Sequence, residues 1–251
     1  VPIDLNADLG EGFGAWRLGD DDGLLEVVTS ANVACGFHAG DPATMQRVCA
    51  GAATRGVAIG AQVGYRDLAG FGRRRIDISP ADLLADVLYQ VGALDAFARA
   101  AGSRVRYVKP HGALYNTAAD DAVQAGAITA AVTAFDPAMP LLGLPASALA
   151  DAAATQSIPF VAEAFADRAY LPSGRLVRRG EPGAVLTDEA VVVDQAISIA
   201  RDGHVRAVDG SLVAVSAVSL CLHGDTPGAV TLARAVRAAL TERGITLEPF
   251  A

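Results

Sequence analysis

The chain has 251 residues, 52% of them hydrophobic and 19% charged, with a formal net charge of −8. That length fits one α/β barrel of about 250 residues, and no Ser/Gly/Pro-rich linker or break in composition divides it, so residues 1–251 read as a single domain. The negative charge argues against a nucleic-acid partner, which clustered Arg and Lys would bind, and the longest apolar stretches fall short of the about 18 residues of a membrane span.

In chain order, strand-like runs fall at residues 3–7, 31–37, 57–63, 106–109, 140–144, 159–165 and 217–222. Helical segments fall between them at residues 42–54, 80–101, 121–133, 189–202 and 227–243. Short buried strands alternating with helices predict parallel β/α units, here with seven strands. The first strand begins at once, without a charged leader and apolar run, so no signal peptide is read and a cytoplasmic location is expected. Cys35, Cys49 and Cys221 are odd in number and lack CxxC spacing, which argues against disulfides or a zinc site.

Helix-start signatures account for some polar residues without invoking chemistry. Asp41-Pro42 and Ser79-Pro80 each place a capping side chain before a proline at the first helical position, and Thr226-Pro227 is expected to do the same. Asp225 stands one residue too early to cap, which makes it a functional candidate. Asp20-Asp21-Asp22 reads as a helix entry or solvated turn, and His204 as an exposed, idle residue. Arg73-Arg74-Arg75 is the one basic run, fitting a solvated loop face or an anion site equally.

Four clusters set an imidazole, a carboxylate or the sole lysine beside glycine or proline: Asn6-Ala7-Asp8-Leu9-Gly10-Glu11, Gly36-Phe37-His38-Ala39-Gly40-Asp41-Pro42, Lys109-Pro110-His111-Gly112 and His223-Gly224-Asp225. Each ends a strand-like run, and in a parallel barrel every strand's carboxyl end opens on one face. Asp8, Glu11, His38, Gln62, Tyr65, Lys109, His111, Glu163, Asp167, Arg168, His223 and Asp225 would then surround one pocket.

These clusters, with the loop Gly64-Tyr65-Arg66-Asp67-Leu68-Ala69-Gly70-Phe71-Gly72-Arg73-Arg74 and the stretch Glu163-Ala164-Phe165-Ala166-Asp167-Arg168-Ala169-Tyr170, resemble the LamB/YcsF family over nearly the whole chain. The resemblance implies a seven-stranded β/α barrel related to polysaccharide deacetylases and certain glycosidases. It also implies action with partner subunits B and C of an ATP-dependent 5-oxoprolinase, which opens 5-oxo-L-proline to L-glutamate. One departure is Gln62-Val63, where family members often carry His-Pro, so no base is expected there.

A lactam is a resonance-stabilised amide, and phosphorylating its oxygen with ATP activates it toward water. The chain lacks a G-x-x-x-x-G-K-[ST] loop, which assigns ATP partly or wholly to the partners. Asp8, Glu11, His111 and His223 are the acid/base candidates, with His38 beside them; Lys109 and Arg168 are anion stabilisers, and Asp167 and Asp225 their orienters. Tyr65, Arg73, Arg74, Asn116 and Glu163 complete the expected substrate or phosphate contacts. The rival reading is a metal-dependent deacetylase with Asp8, His38 and His111 as ligands; the first reading needs no metal in the site. A third reading is a non-catalytic protein that binds a small acid for its partners.

Overall fold

The computed structural model describes residues 2–226 and 228–251. The chain runs through β1 (Asp4–Leu9), α1 (Asp21–Leu25), β2 (Ser30–Ala34), α2 (Pro42–Arg55), β3 (Ala58–Val63), α3 (Pro80–Ala100) and β4 (Val105–Pro110). Then follow α4 (Gly112–Asp120), α5 (Ala122–Phe135), β5 (Leu141–Gly143), α6 (Ala148–Thr155) and β6 (Phe160–Phe165). The carboxyl-terminal part holds α7 (Glu189–Ile197), a ribbon of β7 (His204–Arg206) and β8 (Leu212–Ala214), then β9 (Ser219–Leu222) and α8 (Ala229–Glu242). Seven strands close a parallel barrel in the order β1-β2-β3-β4-β5-β6-β9, β9 returning beside β1, while β7 and β8 pair antiparallel outside it.

All seven expected barrel strands are present. Three elements were not anticipated: α4, α6 and the β7–β8 ribbon; α1 follows Asp20-Asp21-Asp22, the run read as a helix entry or solvated turn. The helix expected at 189–202 ends in a π-helical turn over Ser198–Asp202. Caps formed as expected at α2, where the Asp41 carboxylate accepts from the amides of Ala43 and Thr44 at 2.9 and 3.0 Å, and at α3, where Ser79 Oγ accepts from Asp82 at 3.1 Å. Asp20 likewise caps α1. The cap expected of Thr226-Pro227 is not made by Thr226: α8 starts behind Gly228, without a side-chain cap, and Pro227 lies outside the described residues. His204 is exposed, as expected, and opens β7 rather than sitting in a turn.

β1 shows how the barrel is filled. Its sequence alternates Asp4, Asn6 and Asp8 with Leu5, Ala7 and Leu9, and all six are buried. A period of two sends the two sets to opposite faces. Leu5, Leu9, Val33, Ile59, Val108 and Leu220 join Leu83, Leu94, Val236 and Leu240 of the helices in the main apolar core. The opposite face of β1 points into the barrel, where its polar groups bond each other. Asn6 Nδ2 donates to Ser219 Oγ at 2.7 Å, Asn32 Nδ2 to Asn6 Oδ1 at 2.7 Å and to Asp8 Oδ1 at 2.9 Å, and Tyr107 Oη to Asn32 Oδ1 at 2.6 Å. Gly60 makes room for this network, since a Cβ there would stand 2.1 Å from the Tyr107 ring. Below that ring packs Phe250, at 4.8 Å between centroids.

Candidate active site at the carboxyl end of the barrel

A cavity of about 1040 Å³ opens at the carboxyl end of the strands, with Asp8, Lys109, His111, Tyr115 and Phe165 on its inner wall. Lys109, at the end of β4, is buried and has all three ammonium donors engaged. They reach Glu163 Oε2 at 2.8 Å, Cys221 Sγ at 3.2 Å and Asn6 Oδ1 at 3.3 Å, and Asp8 Oδ1 lies 3.6 Å away. Burial opposes the ammonium charge, but Cys221, Glu163 and Asp8 outweigh it and hold its pKa well above the ordinary lysine value. Asp8 follows the same logic with the opposite sign: burial pushes its carboxyl up, and Lys109 and His223 overcome that and hold it low. This is an ionised cluster in which one cation serves two carboxylates.

Beside it lies a neutral cluster. The rings of His38 and His111 stack 4.0 Å apart at 11°, and Gly64 and Gly72 make the arrangement possible. A Cβ on Gly64 would be 2.5 Å from His38 Nδ1, and one on Gly72, at φ +66°, would be 2.7 Å from His38 Cβ. His38 Nε2 pairs with Gln62 Oε1 at 3.1 Å and His111 Nε2 with the Phe71 carbonyl at 3.1 Å, so each ring donates from Nε2 and keeps its lone pair on Nδ1. Burial pushes both imidazoles down, His38 well below its ordinary value and His111 to about 3. Glu11 faces His111 Nδ1 at 3.7 Å, and burial together with the Asp8 and Asp225 charges pushes its carboxyl well above the ordinary range. A carboxyl biased toward its neutral form thus stands next to the lone pair of an imidazole nitrogen.

The third group is a dyad. Asp167 accepts from the His223 backbone amide at 3.0 Å and from His223 Nδ1 at 2.9 Å, which fixes the imidazole with Nε2 as its exchangeable nitrogen. Burial raises the Asp167 carboxyl, and the His223 contacts overcome this and hold it low. At the rim, Asp225 bridges Arg73 at 2.6 Å and Arg179 at 2.7 Å, tying the loop after β9 to those after β3 and β6.

The barrel therefore gathers Asp8, Glu11, His38, Lys109, His111, Glu163, Asp167, His223 and Asp225 into one neighbourhood, with Arg73, Asn116 and Arg168 on the cavity wall. Two expected residues do not reach it. Tyr65 turns its hydroxyl into a 2.5 Å bond with Gln124 of α5, because it leaves β3 on the helix-facing side. Arg74 pairs with Asp67 inside its own loop. The basic run matches the solvated-loop alternative in being exposed at all three positions, and Arg73, Arg74 and Arg75 each pair with an aspartate. That run is also not the sole basic cluster, since Arg175, Arg178 and Arg179 line the same cavity. Their signal was the repeated arginine of Arg175-Leu176-Val177-Arg178-Arg179-Gly180. Asn6, named only within its cluster, and Asn32 were missed as polar residues facing into a buried barrel, whereas Gln62 lies beside His38 as the pocket reading placed it.

The metal set Asp8, His38 and His111 is not what the structure groups. Ligand atoms of Glu11, His38 and His111 fall within 4.8 Å of one another, while Asp8 is turned to Lys109. Glu11 with two neutral imidazoles suits a divalent ion chemically. Imidazole lone pairs lie in the ring plane, however, so near-parallel stacked rings do not aim at a common point, and the rings must splay to share an ion.

Comparison with known proteins places the chain. The LamB/YcsF family matches residues 3–251. The chain belongs to the LamB/YcsF family. Among relatives, it is 62% identical to the 5-oxoprolinase A subunit of Streptomyces avermitilis over 99% of this chain and 100% of the relative, and 61% identical to the 5-oxoprolinase A subunit of Mycolicibacterium gilvum over 99% and 98%. Among solved structures, the lactam utilization protein of Thermus thermophilus superposes with a TM-score of 0.94 at 46% identity, over all of both chains. The chain therefore shares the fold of that lactam utilization protein. No helix among the described residues is long and apolar enough to cross a membrane.

Proposed function

We propose that this chain is the A component of an ATP-dependent 5-oxoprolinase, acting with subunits B and C to open 5-oxo-L-proline to L-glutamate. The observation that carries this reading is identity of about 60%, end to end, with proteins bearing that name. The site chemistry is compatible with it. ATP transfers a phosphoryl group to the lactam oxygen, one water adds to the activated carbon, the ring nitrogen takes a proton as the C–N bond breaks to leave an acyl phosphate, and a second water hydrolyses that acyl phosphate to glutamate and phosphate. These steps need a base for water and an acid for nitrogen, and neighbouring titratable groups pushed in opposite directions supply such a pair. Asp8, ionised at the cavity wall, and His223, oriented by Asp167, are the base candidates. Glu11, its carboxyl pushed up by burial, is the acid candidate, with His111 Nδ1 3.7 Å from it. Lys109 holds Asp8 ionised and stabilises anionic intermediates on that wall.

The test is reconstitution. The purified chain with subunits B and C is expected to form glutamate and ADP in step from 5-oxo-L-proline and ATP, and the chain alone to turn over little ATP. Absence of glutamate from the reconstituted mixture refutes the reading.

A further inference from the structure

The cavity's outer wall carries more positive charge than its carboxylates balance, although the chain as a whole is at −8. Six arginines line the cavity: Arg73, Arg75, Arg168, Arg175, Arg178 and Arg179. Four are paired. Arg73 and Arg179 share Asp225, Arg175 holds Asp120 at 2.8 Å, and Arg75 holds Asp121 at 3.3 Å. Among the described residues, Arg168 and Arg178 have no carboxylate oxygen within 4.0 Å.

Arg168 is 6% exposed. Its Nε donates to the Ala184 carbonyl at 3.1 Å and its Nη2 to the Val177 carbonyl at 2.5 Å, which fix the plane of the guanidinium without neutralising it. Burial and the nearby Arg179 push its pKa down, outweighing the opposing charge of the adjacent Asp167, which is engaged by His223. A buried cation beside a like charge is costly unless an anion meets it. Two carbonyls aim this cation, and an exposed second one, Arg178, stands on the same wall.

We propose that Arg168 and Arg178 form the seat of a phosphoryl dianion, borne by a ligand whose other end reaches Asp8 and His111. Two unpaired guanidiniums match the about −1.5 to −2 charge of a phosphate monoester at neutral pH, and their planar forks suit its oxygens. The cavity is far larger than a five-membered lactam acid requires and runs from Lys109 to Arg178, so one ligand spans both ends. The seat rests on the lactam-opening reading only for the rest of the ligand: the phosphoryl belongs either to a nucleotide or to a phosphorylated lactam.

Calorimetric titration of the purified chain with inorganic phosphate, ATP and 5-oxo-L-proline tests it. Saturable phosphate binding is expected, weakened about tenfold or more by Arg178→Ala and by Arg168→Gln, and unchanged by Arg104→Ala at the amino end of β4. The Arg178 side chain makes no hydrogen bond among the described residues, and its backbone carbonyl bond to the Glu181 amide survives truncation, so its variant reports binding even if Arg168→Gln unfolds. ATP binding tighter than phosphate, with the same sensitivity to Arg178, assigns the seat to a nucleotide; ATP binding no tighter than phosphate assigns it to a phosphorylated small acid. Phosphate affinity equal in wild type and Arg178→Ala, or no saturable binding, overturns the seat. Failure of the reconstituted enzyme to make glutamate while phosphate still binds through Arg178 would remove the 5-oxoprolinase reading and leave the seat standing.

Discussion

Replacing Lys109 with methionine keeps an unbranched side chain one atom shorter and removes its charge. Asp8 and Glu163, with side chains 6% and 0% exposed, then lose the ammonium that stands 3.6 and 2.8 Å from them. Breaking a buried pair by removing one partner costs about 3–5 kcal/mol. At about 2–4 °C per kcal/mol for a chain of this size, the melting temperature at pH 8 falls by about 6–20 °C. The pH dependence separates this cause from simple loss of packing. In the native protein burial raises the Asp8 carboxyl and Lys109 and His223 overcome it, so its folded pKa lies below its unfolded value. The stability it contributes is therefore present above the unfolded pKa of about 3.9 and is lost as pH falls through the lowered folded value. Without Lys109 the burial effect is opposed only by His223, the Asn32 hydrogen bond and Arg179, the Asp8 pKa rises, and once it passes the unfolded value the sign reverses: stability is then lost as pH rises through the raised value. Thermal melts of both proteins at pH 5 and pH 8 should show a larger deficit at pH 8. A deficit under about 1 kcal/mol, or one that is the same at both pH values, refutes the account of Lys109 as the charge that permits two buried carboxylates.

Three further outcomes are expected. His111 is neutral when folded, so the unfolded chain takes up a proton as pH falls below 6.5 and the native state does not until about 3. Denaturant unfolding should show His111→Gln losing about 2 kcal/mol less than wild type between pH 7 and pH 5, and parallel curves would contradict this. Asp167→Asn keeps the shape of the dyad but no longer fixes the His223 tautomer, and should lower reconstituted turnover by about 100-fold or more with unchanged circular dichroism; full turnover would exclude the dyad from the chemistry. Gly72→Ala forces a Cβ at φ +66° to within 2.9 Å of His111 Cδ2, and should cost about 1–3 kcal/mol in chemical denaturation, whereas Gly126→Ala in α5, with open space around it, should be neutral or stabilising.

The alternation of buried strands and capped helices made the barrel legible, because Asp41-Pro42 and Ser79-Pro80 announce helices that return the chain to the next strand. The imidazoles and Lys109 were legible because each ends a strand run, and closure of the barrel turns that common position into proximity. Helix α4 was not, since Gly112 follows His111 at φ +57° and reads as a loop while in fact opening a helix that brings Tyr115 and Asn116 to the cavity. Tyr65 and Arg74 failed for a different reason. Residues one or two positions past a strand can turn toward the helices or into their own loop, and that choice is set by Gln124 and Asp67, which sequence spacing does not connect to them.

The polar face of β1 carries the deeper lesson about this site. An alternating strand of Asp4, Asn6 and Asp8 reads as half-solvated, yet closure puts that face into the barrel, where unpaired polar groups would be costly. Asp4 accepts from Thr29 and Ser30 at 2.6 Å each and from Ser219, Ser219 accepts from Asn6, Asn6 accepts from Asn32 and Lys109, and Asn32 also bonds Asp8. A continuous hydrogen-bonded chain thus runs from the amino end of β1 to the cavity wall. Such a network leaves Asp8 and Lys109 little freedom to reorient, and their geometry is set before any ligand arrives. With all three of its donors engaged, Lys109 meets an oxyanion by exchanging one existing partner, so its main effect is exerted through the field it imposes on Asp8. Mobile anion recognition is then left to the wall with spare charge, where Arg168 is aimed by carbonyls and Arg178 is free of partners among the described residues.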